Sequence, residues 1–439
     1  MTDTADRTTT SGDPVADVKA WLADNWDPDL TVAEWWERLG TSGWAVPTWP
    51  SAWFGKDLSR AEGVRVQQAI ADFGALPAPG GLGLMLAGPT IVVHGDDEQK
   101  TRYLKDIVTG QRAWCQLFSE PGAGSDLAGL NARAVKDGDE WIVNGQKVWT
   151  SGGHVADLGM LIARTDPDQP KHAGITYFVV EMQQPGIEVV PLREMTGRAL
   201  FNEVFLTDAR VGDDTMIGGY NNGWRVANTT LMFERSSLGA GGGSAAASLA
   251  SPGTIAGDLD KRAGDFVSSG GRRGGGGGTL FGASSKGLTQ LARNNGKADE
   301  PAIRQKLMQL HSIGEVARFN NLRLKAAMQA GKDIPGLPNI SKLLMSQTVR
   351  LSRDVGLEIA GGYGTLHAYD TDSRKALDEA TGQSYLAGIT EMALFAQGPP
   401  IYGGTDQVQR NIIGERVLGL PKEPGFDKGT PFKDLPKNG

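Results

Sequence analysis

The hydrophobic and polar positions along the chain follow two different periods, and the period changes twice. Over residues 14–105 the apolar positions recur with mostly helical spacing. The clearest case is residues 32–39, where apolar side chains follow the i, i+3, i+4, i+7 pattern of an amphipathic helix, which Gly40 is expected to end. This pattern predicts a helical N-terminal unit over residues 14–110.

The second region alternates apolar and polar residues with the period of β-strands. Residues 140–149 contain the dipeptide Asn144-Gly145, a strong signal for a two-residue hairpin between two short strands. Further short apolar stretches follow, separated by Pro, Gly and Asp. We therefore predict a β-sandwich or barrel over residues 111–215. Because helical spacing then returns for residues 216–439, the overall prediction is an α+β fold of three segments: helices, strands, helices.

A glycine-rich insertion interrupts the last segment at about residues 251–286. Residues 270–278 contain seven glycines and two arginines. Glycine loses more backbone entropy on ordering than any other residue, so such a run does not form a regular element. We expect an exposed loop that joins two helices. Arg272 and Arg273 are interpreted as part of a solvated loop in preference to a phosphate site.

Composition narrows the classes of function. The 439-residue chain has 44 Lys and Arg against 51 Asp and Glu, a net charge of −7, which favours neither nucleic acid nor an anionic membrane as partner. No apolar run approaches 18 residues, so membrane insertion is not expected. Cys115 is the only cysteine, which excludes an internal disulfide. With only five scattered His besides, a metal site is disfavoured. The polar start of the chain does not resemble a targeting peptide, which predicts a cytoplasmic location.

The first candidate for chemistry is the segment Gln116-Leu-Phe-Ser-Glu-Pro-Gly-Ala-Gly-Ser-Asp126. A predicted strand runs here into a Pro-Gly turn, and the small residues after it let backbone N–H groups approach a ligand closely. Exposed N–H groups form an anion-binding concavity that suits a diphosphate. Alone, this pattern is also that of an ordinary loop. Motifs for nucleotide phosphate loops, serine hydrolases, zinc proteases and Rossmann sites are absent from the sequence.

With three further segments the pattern resembles the acyl-CoA dehydrogenase family along nearly the whole chain. The four matching segments, in order, are residues 119–126, 143–151, 358–364 and 402–410. The resemblance implies a helical, a β and a second helical domain, a bound FAD, and α,β-dehydrogenation of an acyl-CoA thioester. It also implies electron transfer to an electron-transfer flavoprotein, and assembly as a homotetramer or a heterotetramer.

The resemblance assigns residues to the two ligands. Expected flavin contacts, some of them supplied by a neighbouring subunit, are Gln116, Phe118, Ser119, Gly124, Ser125, Trp149, Ser151, Arg293, Glu358, Gly362, Thr405 and Gln407. Expected substrate contacts are Ser125, which would meet the pantetheine arm, with Arg235 and Gly404. Two departures affect this assignment. Glu358 stands where the family commonly has Gln, and the family's arginine element is altered, so that Arg293 is the match and Arg304 the reserve.

The catalytic base is assigned by elimination between two positions that the family uses. The commoner one, directly after Tyr402, is Gly403 here and has no side chain that could act. The other lies on the first helix after the β domain, directly before an arginine, and is Glu234. Three large apolar residues precede Glu234, which is consistent with partial burial and a raised carboxyl pKa. Most helical Glu residues beside an Arg are surface residues, but the loss of the usual base favours Glu234.

Several alternatives stay open. The chain is either an active dehydrogenase or a catalytically incomplete partner subunit of a mixed tetramer, and the same fold also supports flavin oxidases and monooxygenases. Bases at the Glu234 position occur in the family with long-chain, branched-chain and steroid side-chain substrates. The small residues at 236–244 would either leave room for a bulky acyl group or allow close helix packing.

Overall fold

We describe a computed structural model of the chain, covering residues 12–239, 249–267, 285–330, 332, 334–422, 424–425, 427 and 429–436. Five helices come first, and they are α1 Pro14–Asn25, α2 Val32–Thr41, α3 Arg60–Phe73, α4 Gly88–His94 and α5 Asp97–Val108. A short π-helix, Gly83–Ala87, leads directly into α4. Their starts are determined locally: Thr31 and Glu34 form a reciprocal capping box at α2, and Ser59 and Glu62 form one at α3.

Helix α2 confirms the amphipathic pattern, with its apolar stripe fully buried against α1 and α3. Gly40 does not end it, because the helix continues to Thr41. Gly40 instead allows a close approach to α5, since a Cβ there would lie 2.7 Å from the carbonyl oxygen of Val108.

The middle of the chain forms one seven-stranded mixed sheet. Its strands are β1 Trp114–Leu117, β2 Arg133–Asp137, β3 Glu140–Ser151, β4 Leu158–Arg164, β5 Ile175–Glu181, β6 Ile187–Leu192 and β7 Phe201–Gly212. The order is β1-β4-β2-β3-β7-β6, and β5 pairs with β4 in addition. Strand β4 is buried along its whole length. On one face of the sheet, side chains from its own strands form a core. The other face packs on α4, α5 and the first helix after the sheet, which begins at Gly223.

The predicted hairpin at Asn144-Gly145 is wrong. Both residues lie inside the continuous twelve-residue strand β3, at a register shift against β7. Asn144 exchanges two 3.0 Å hydrogen bonds with Asp208, and a Cβ on Gly145 would lie 2.5 Å from the Cβ of Ala132. The dipeptide therefore makes a bulge that bends the strand. The turn that joins β2 to β3 lies earlier, between the paired residues Asp137 and Glu140.

Helices return after the sheet. They are α6 Gly223–Gly239, α7 Ser285–Asn294, α8 Pro301–Gln329, α9 Leu337–Ala360, α10 Thr371–Thr381, α11 Leu386–Phe395 and α12 Asp406–Ile412. Helix α6 packs on β5, α4 and α9, whereas α7, α8, α9 and α11 share a separate core. The order of helices, sheet and helices confirms the predicted three-segment α+β fold.

Part of the glycine-rich insertion is attached to the N-terminal helices. Its run 268–284, with Arg272 and Arg273, lies outside the described residues. Residues 251–267, however, are bound to the N-terminal helices: Val32 N–H donates to Lys261 O at 2.8 Å, and Ala263 N–H donates to Leu30 O at 2.8 Å. Thr254 also hydrogen-bonds Asp157 of the sheet domain. This part is mostly irregular chain between α6 and α7, with Gly253, Ala263 and Gly264 buried and the other residues exposed or half-buried. Its backbone pairing with the N-terminal helices offsets the entropy cost of ordering it.

Two findings bear on the class of function. Among the described residues, no helix combines the length and the apolar character needed to cross a bilayer. That same part of the chain holds no group of three or more His, Cys, Asp or Glu side chains arranged to bind a metal ion.

Candidate functional site

The segment predicted to bind an anion follows directly from β1 and lies against β3. Ser119 O accepts a 2.9 Å hydrogen bond from Val148 N–H, so the loop starts beside the C-terminal part of strand β3. Glu120 and Ala123 then exchange backbone hydrogen bonds of 3.1 and 3.0 Å, which closes the Pro-Gly turn. The small residues beyond this turn reach the surface: Ser125 is exposed, and a Cβ on Gly124 would meet no atom within 4 Å.

A buried ion pair that sequence reasoning missed holds this loop in place. Lys147 Nζ lies 2.8 Å from Glu120 Oε1 and 3.0 Å from Phe118 O, and the Lys147 side chain is completely buried. The Glu120 carboxylate also accepts from the backbone N–H groups of Asn131 at 2.6 Å and Ala132 at 2.9 Å. Burial lowers the pKa of Lys147, and the neighbouring Glu120 opposes that shift. Both ends of the loop are therefore fixed to one carboxylate.

Trp149 is presented on the surface beside this loop by a second irregularity in β3. The register against β7 shifts between Lys147 and Thr150, and Trp149 adopts a left-handed φ of +62°. A bulge of this kind redirects a side chain at modest cost in strain. The indole is 57% exposed and contacts the Phe201 ring edge-on at 5.8 Å. Ser151, two residues on, is also exposed.

Behind the loop, the residues of β1 connect the sheet to helix α6. Gln116 is half-buried on β1, and Phe118 is buried with its ring edge-on to Tyr177 at 6.0 Å. Burial raises the pKa of Tyr177, and its hydroxyl hydrogen-bonds Thr230 of α6, which opposes the shift. Thr230 in turn lies 3.0 Å from the Thr90 hydroxyl of α4. These side chains therefore lie where four elements meet: strand β1, which we call the motif strand, strand β5, and helices α4 and α6.

Glu234 lies one helical turn beyond Thr230 on the same face of α6. Ala227 and Thr230, which precede it by seven and four residues, are both completely buried. Glu234 itself is half-buried, and the preceding Phe233 packs against the core shared with Phe118. The side chain of Arg235 lies outside the described part of the structure. The predicted base is therefore on the helix face that is directed toward the motif strand.

A second group of predicted residues meets at the end of α9. Glu358, in the last turn, is ion-paired with Lys306 of α8, and its backbone oxygen accepts from Lys297 Nζ at 2.8 Å. Gly362 lies in the 3-10 turn that follows, where a Cβ would meet nothing within 4 Å. Arg293 is exposed near the end of α7, two residues before Asn295, whose side chain donates to Ile359 O at 3.4 Å. The sequence analysis missed both lysines, and the charge of Lys306 offsets the added carboxylate that distinguishes this chain from the family pattern.

The reserve arginine lies farther along. Arg304 is near the start of α8 and pairs with Asp299 at 3.6 Å.

The third group surrounds the start of α12. Thr405 caps the helix by accepting from Val408 N–H, and Gln407 is exposed in its first turn. Gly403 and Gly404 both have left-handed φ values, +63° and +81°, which suit glycine. Gln409 holds this turn by donating to Gly403 O at 2.9 Å.

The second and third groups are not brought together within one chain. Asp406 is buried and pairs with Lys342 at 3.0 Å and Arg350 at 2.5 Å, which fixes α12 against the middle of α9, where the Ser346 hydroxyl also donates to Pro399 O. From Ser346 to the helix end at Ala360 a helix rises about 21 Å. Gln407 and Gly362 therefore occupy separate places on the surface of one chain.

Three models of acyl-CoA dehydrogenase domains match the chain. The N-terminal domain matches residues 14–111, the middle domain residues 115–209, and the C-terminal domain residues 287–418. Among curated relatives, the acyl-CoA dehydrogenase IpdE1 of Mycobacterium tuberculosis is 33% identical over 427 residues, covering 93% of this chain and 97% of its own. FadE34 of the same organism is 33% identical over 388 residues, but only 46% of its length is covered.

Solved structures agree with these matches. The Tcur3481-Tcur3483 steroid ACAD is 25% identical with a TM-score of 0.66, covering 93% of this chain and 97% of its own. The ChsE4-ChsE5 complex from Mycobacterium tuberculosis is 26% identical with a TM-score of 0.64, covering 95% and 100%. Three domain models in order, and relatives matched over nearly their full length, lead to one conclusion: the chain belongs to the acyl-CoA dehydrogenase family.

Proposed function

We propose that the chain catalyses FAD-dependent α,β-dehydrogenation of an acyl-CoA thioester to the trans-2-enoyl-CoA, with electrons passed to an electron-transfer flavoprotein. The observation that carries this proposal is the position of Glu234. It lies one turn from Thr230, which reaches the motif strand through Tyr177 and Phe118. A half-buried carboxylate on that face, together with Gly403 at the other family position, supports Glu234 as the base.

The residues around the loop 119–126, which we call the motif loop, fit a flavin. Trp149 is a large aromatic side chain held on the surface by an unfavourable backbone conformation, and the backbone at Gly124 has open space around it. Strain of this kind is retained where the surroundings require it, as at ligand sites. Gln116, Phe118, Ser119, Ser125 and Ser151 would complete this half of the site. FAD, when bound, supplies the acceptor for the hydride that leaves the substrate's β-carbon.

The chain's own residues would then handle the proton and the carbonyl. A Glu234 carboxylate oxygen would take the proton from the substrate's α-carbon, which a thioester acidifies only weakly, so the base must be held close in a desolvated site. Negative charge develops on the thioester oxygen and requires a preorganised donor. A backbone N–H of the left-handed turn at Gly403 and Gly404 would serve as that donor, and Ser125 would hold the pantetheine arm.

Replacement of Glu234 tests the base. Glu234→Gln keeps the shape of the side chain but cannot accept the α-proton, so anaerobic reduction of bound flavin by an acyl-CoA should slow by about 10³-fold or more. Glu98→Gln, an exposed glutamate on α5, is the matched control and should react at the normal rate. A near-normal rate in Glu234→Gln would refute this assignment.

We also propose that the active form is a tetramer, of one chain type or two. Within α8 the side chains of Met308, Val316, Phe319 and Leu322 lie on one helix face and are 49–56% exposed. Four large exposed apolar side chains on one helix face, with Ser312 and Glu315 between them, favour burial against another chain. Because about 21 Å of helix separates the groups at Gly362 and Gln407, the Gly362 group of one chain would serve the flavin of a neighbouring subunit, while Gly403, Gly404 and α12 serve the site of their own chain. Sedimentation velocity of the flavin-loaded protein measures the assembly.

A second candidate is the catalytically incomplete partner subunit of a mixed tetramer. One solved relative is the ChsE4-ChsE5 complex, and another carries the paired name Tcur3481-Tcur3483. This candidate predicts that the chain purified alone holds little FAD, whereas an active dehydrogenase of one chain type holds about one FAD per chain. Flavin absorbance relative to protein concentration distinguishes the two. Rapid reoxidation of the reduced flavin by oxygen would instead favour an oxidase.

For the acyl group we propose a bulky, steroid-type side chain. The support is the 25% identity to a structure described as a steroid ACAD. Anaerobic titration with straight-chain, branched-chain and steroid side-chain acyl-CoA thioesters tests this choice, because only the preferred class should bleach the flavin at stoichiometric amounts.

We also propose that the three domains of the chain span residues 14–110, 111–215 and 216–439.

A further inference from the structure

The C-terminal tail contacts the sheet domain far from the helices that precede it. The match to the family's C-terminal domain ends at residue 418, whereas the chain continues to residue 439. Within this extension, residues 427 and 429–436 are described, and we call them the strap. The strap lies on residues 165–174, the loop that joins β4 to β5.

Backbone hydrogen bonds attach the strap to this loop. Phe432 N–H donates to Gln169 O at 2.9 Å, and Lys433 N–H donates to Pro167 O at 3.0 Å. The side chain of Lys433 adds an ion pair with Asp168 at 2.6 Å. Two paired backbone groups define a register, so this contact is specific in a way that a loosely packed tail is not.

Beneath the strap lies a buried cation that connects the loop to the candidate ligand site. Arg164 is 3% exposed, and its guanidinium donates to Lys171 O at 2.6 Å and to Ala128 O at 2.6 Å. Ala128 belongs to the 3-10 turn directly after Ser125. The ring of Phe432 covers the guanidinium, with its centroid 3.7 Å from the central carbon. The hydrogen bonds of the guanidinium go to neutral carbonyls, while the carboxylates of Glu120, Asp126 and Asp166 favour its charge without touching it. The aromatic face of Phe432 adds to this stabilisation and keeps water away.

An ion-paired lysine makes a second connection between the same three segments. Lys171 Nζ lies 3.1 Å from Asp126, which follows Ser125, and 2.6 Å from Asp427 of the strap. The Lys171 side chain is 16% exposed. The strap therefore reaches the motif loop twice, through Arg164 on one side and through Lys171 on the other.

We propose that the strap positions the motif loop for the pantetheine arm of a CoA thioester, with Phe432 and Asp427 as positioning residues that act through Arg164 and Lys171. This inference rests on the proposed function, in which Ser125 contacts that arm. Without Phe432, water reaches the guanidinium and competes for its bonds to Ala128 O and Lys171 O. The 3-10 turn beside Ser125 then samples more conformations, and the cost of ordering it falls on substrate binding.

A series at Phe432 tests the proposal. Phe432→Ala should raise KM for the preferred acyl-CoA by roughly tenfold, the effect of losing one desolvated cation–π contact, while kcat and FAD content stay unchanged. Phe432→Tyr keeps the aromatic face and should restore KM, whereas Phe432→Leu keeps only apolar bulk and should not. Leu435→Ala, in the same strap, is the control for loss of apolar bulk and should have a normal KM.

Two measurements without turnover complete the test. Hydrogen exchange of the amides in residues 122–131 should be faster in Phe432→Ala than in Leu435→Ala, and titration calorimetry with coenzyme A alone should show the same weakening as KM. A normal KM in Phe432→Ala would overturn the positioning role. So would a raised KM that comes with losses of kcat and FAD content in proportion to the loss of stability. If no thioester reduces the wild-type flavin, the proposed function fails, and faster exchange still identifies the strap's effect on the loop.

Discussion

Breaking the buried pair of Glu120 and Lys147 should show how much the candidate site depends on it. Lys147→Met keeps most of the apolar stem but leaves the Glu120 carboxylate, 6% exposed, without its counter-charge. Loss of one partner of a buried pair costs about 3–5 kcal/mol. Because two backbone N–H groups still donate to Glu120, we expect the lower end, ~3 kcal/mol. Thermal unfolding of a unit of this size shifts by about 2–4 °C per kcal/mol, which gives a fall of roughly 6–12 °C.

The double variant decides whether the pair acts as a unit. Glu120→Gln/Lys147→Met removes the unpaired charge and keeps an oxygen for one backbone N–H, so it should recover about 1–2 kcal/mol relative to Lys147→Met alone. Scanning calorimetry at one protein and one FAD concentration measures all four proteins, since bound ligand alone shifts the midpoint. Additive effects of the two single substitutions, within about 0.5 kcal/mol, would refute the coupling.

Three further predictions follow from local geometry. Trp149→Gly relieves the left-handed backbone but removes the ring, so flavin fluorescence titration should show weaker FAD binding than in Trp149→Phe, with no loss of apoprotein stability. Burial, and to a smaller extent Arg225, lowers the pKa of His94 from its usual 6.5. Because the unfolded chain then binds the proton at a higher pH than the folded one, the free energy of unfolding should fall as the pH drops below 6.5. His94→Gln should reduce this dependence of the unfolding temperature on pH in thermal scans. Gly145→Ala forces a Cβ to within 2.5 Å of the Cβ of Ala132 and should cost about 1–3 kcal/mol in urea unfolding, clearly more than Gly314→Ala within α8, where a Cβ meets nothing within 4 Å.

The order of helices, sheet and helices could be predicted because periodicity is a local property. Helix α2 shows this, since its apolar stripe and capping box lie within a dozen residues. Asn144-Gly145 failed because the dipeptide's preference for a turn was overridden by pairing with β7, some 60 residues away in sequence. The observed turn between Asp137 and Glu140 contains Gly138, whose φ of +64° suits a tight turn.

The candidate site was predictable only in part, and mostly through the family. Glu120 and Lys147 each look like surface charges in sequence, and only the fold brings their side chains together in the core. Glu234 could be singled out only because Gly403 replaces the residue that usually acts. The strap at Phe432 gave no signal at all, because a short polar tail has no periodicity to interpret.

Helix α9 sets a fixed length between the two flavin-related groups on its surface, and this has a thermodynamic consequence. If FAD is held between one chain's Gly362 and another chain's Gln407, cofactor affinity and subunit affinity are one linked equilibrium. Dilution would then release cofactor, and added FAD would drive assembly by mass action. The rigid rod of α9 would thus make holding the cofactor a collective property of the oligomer, which no single chain has alone.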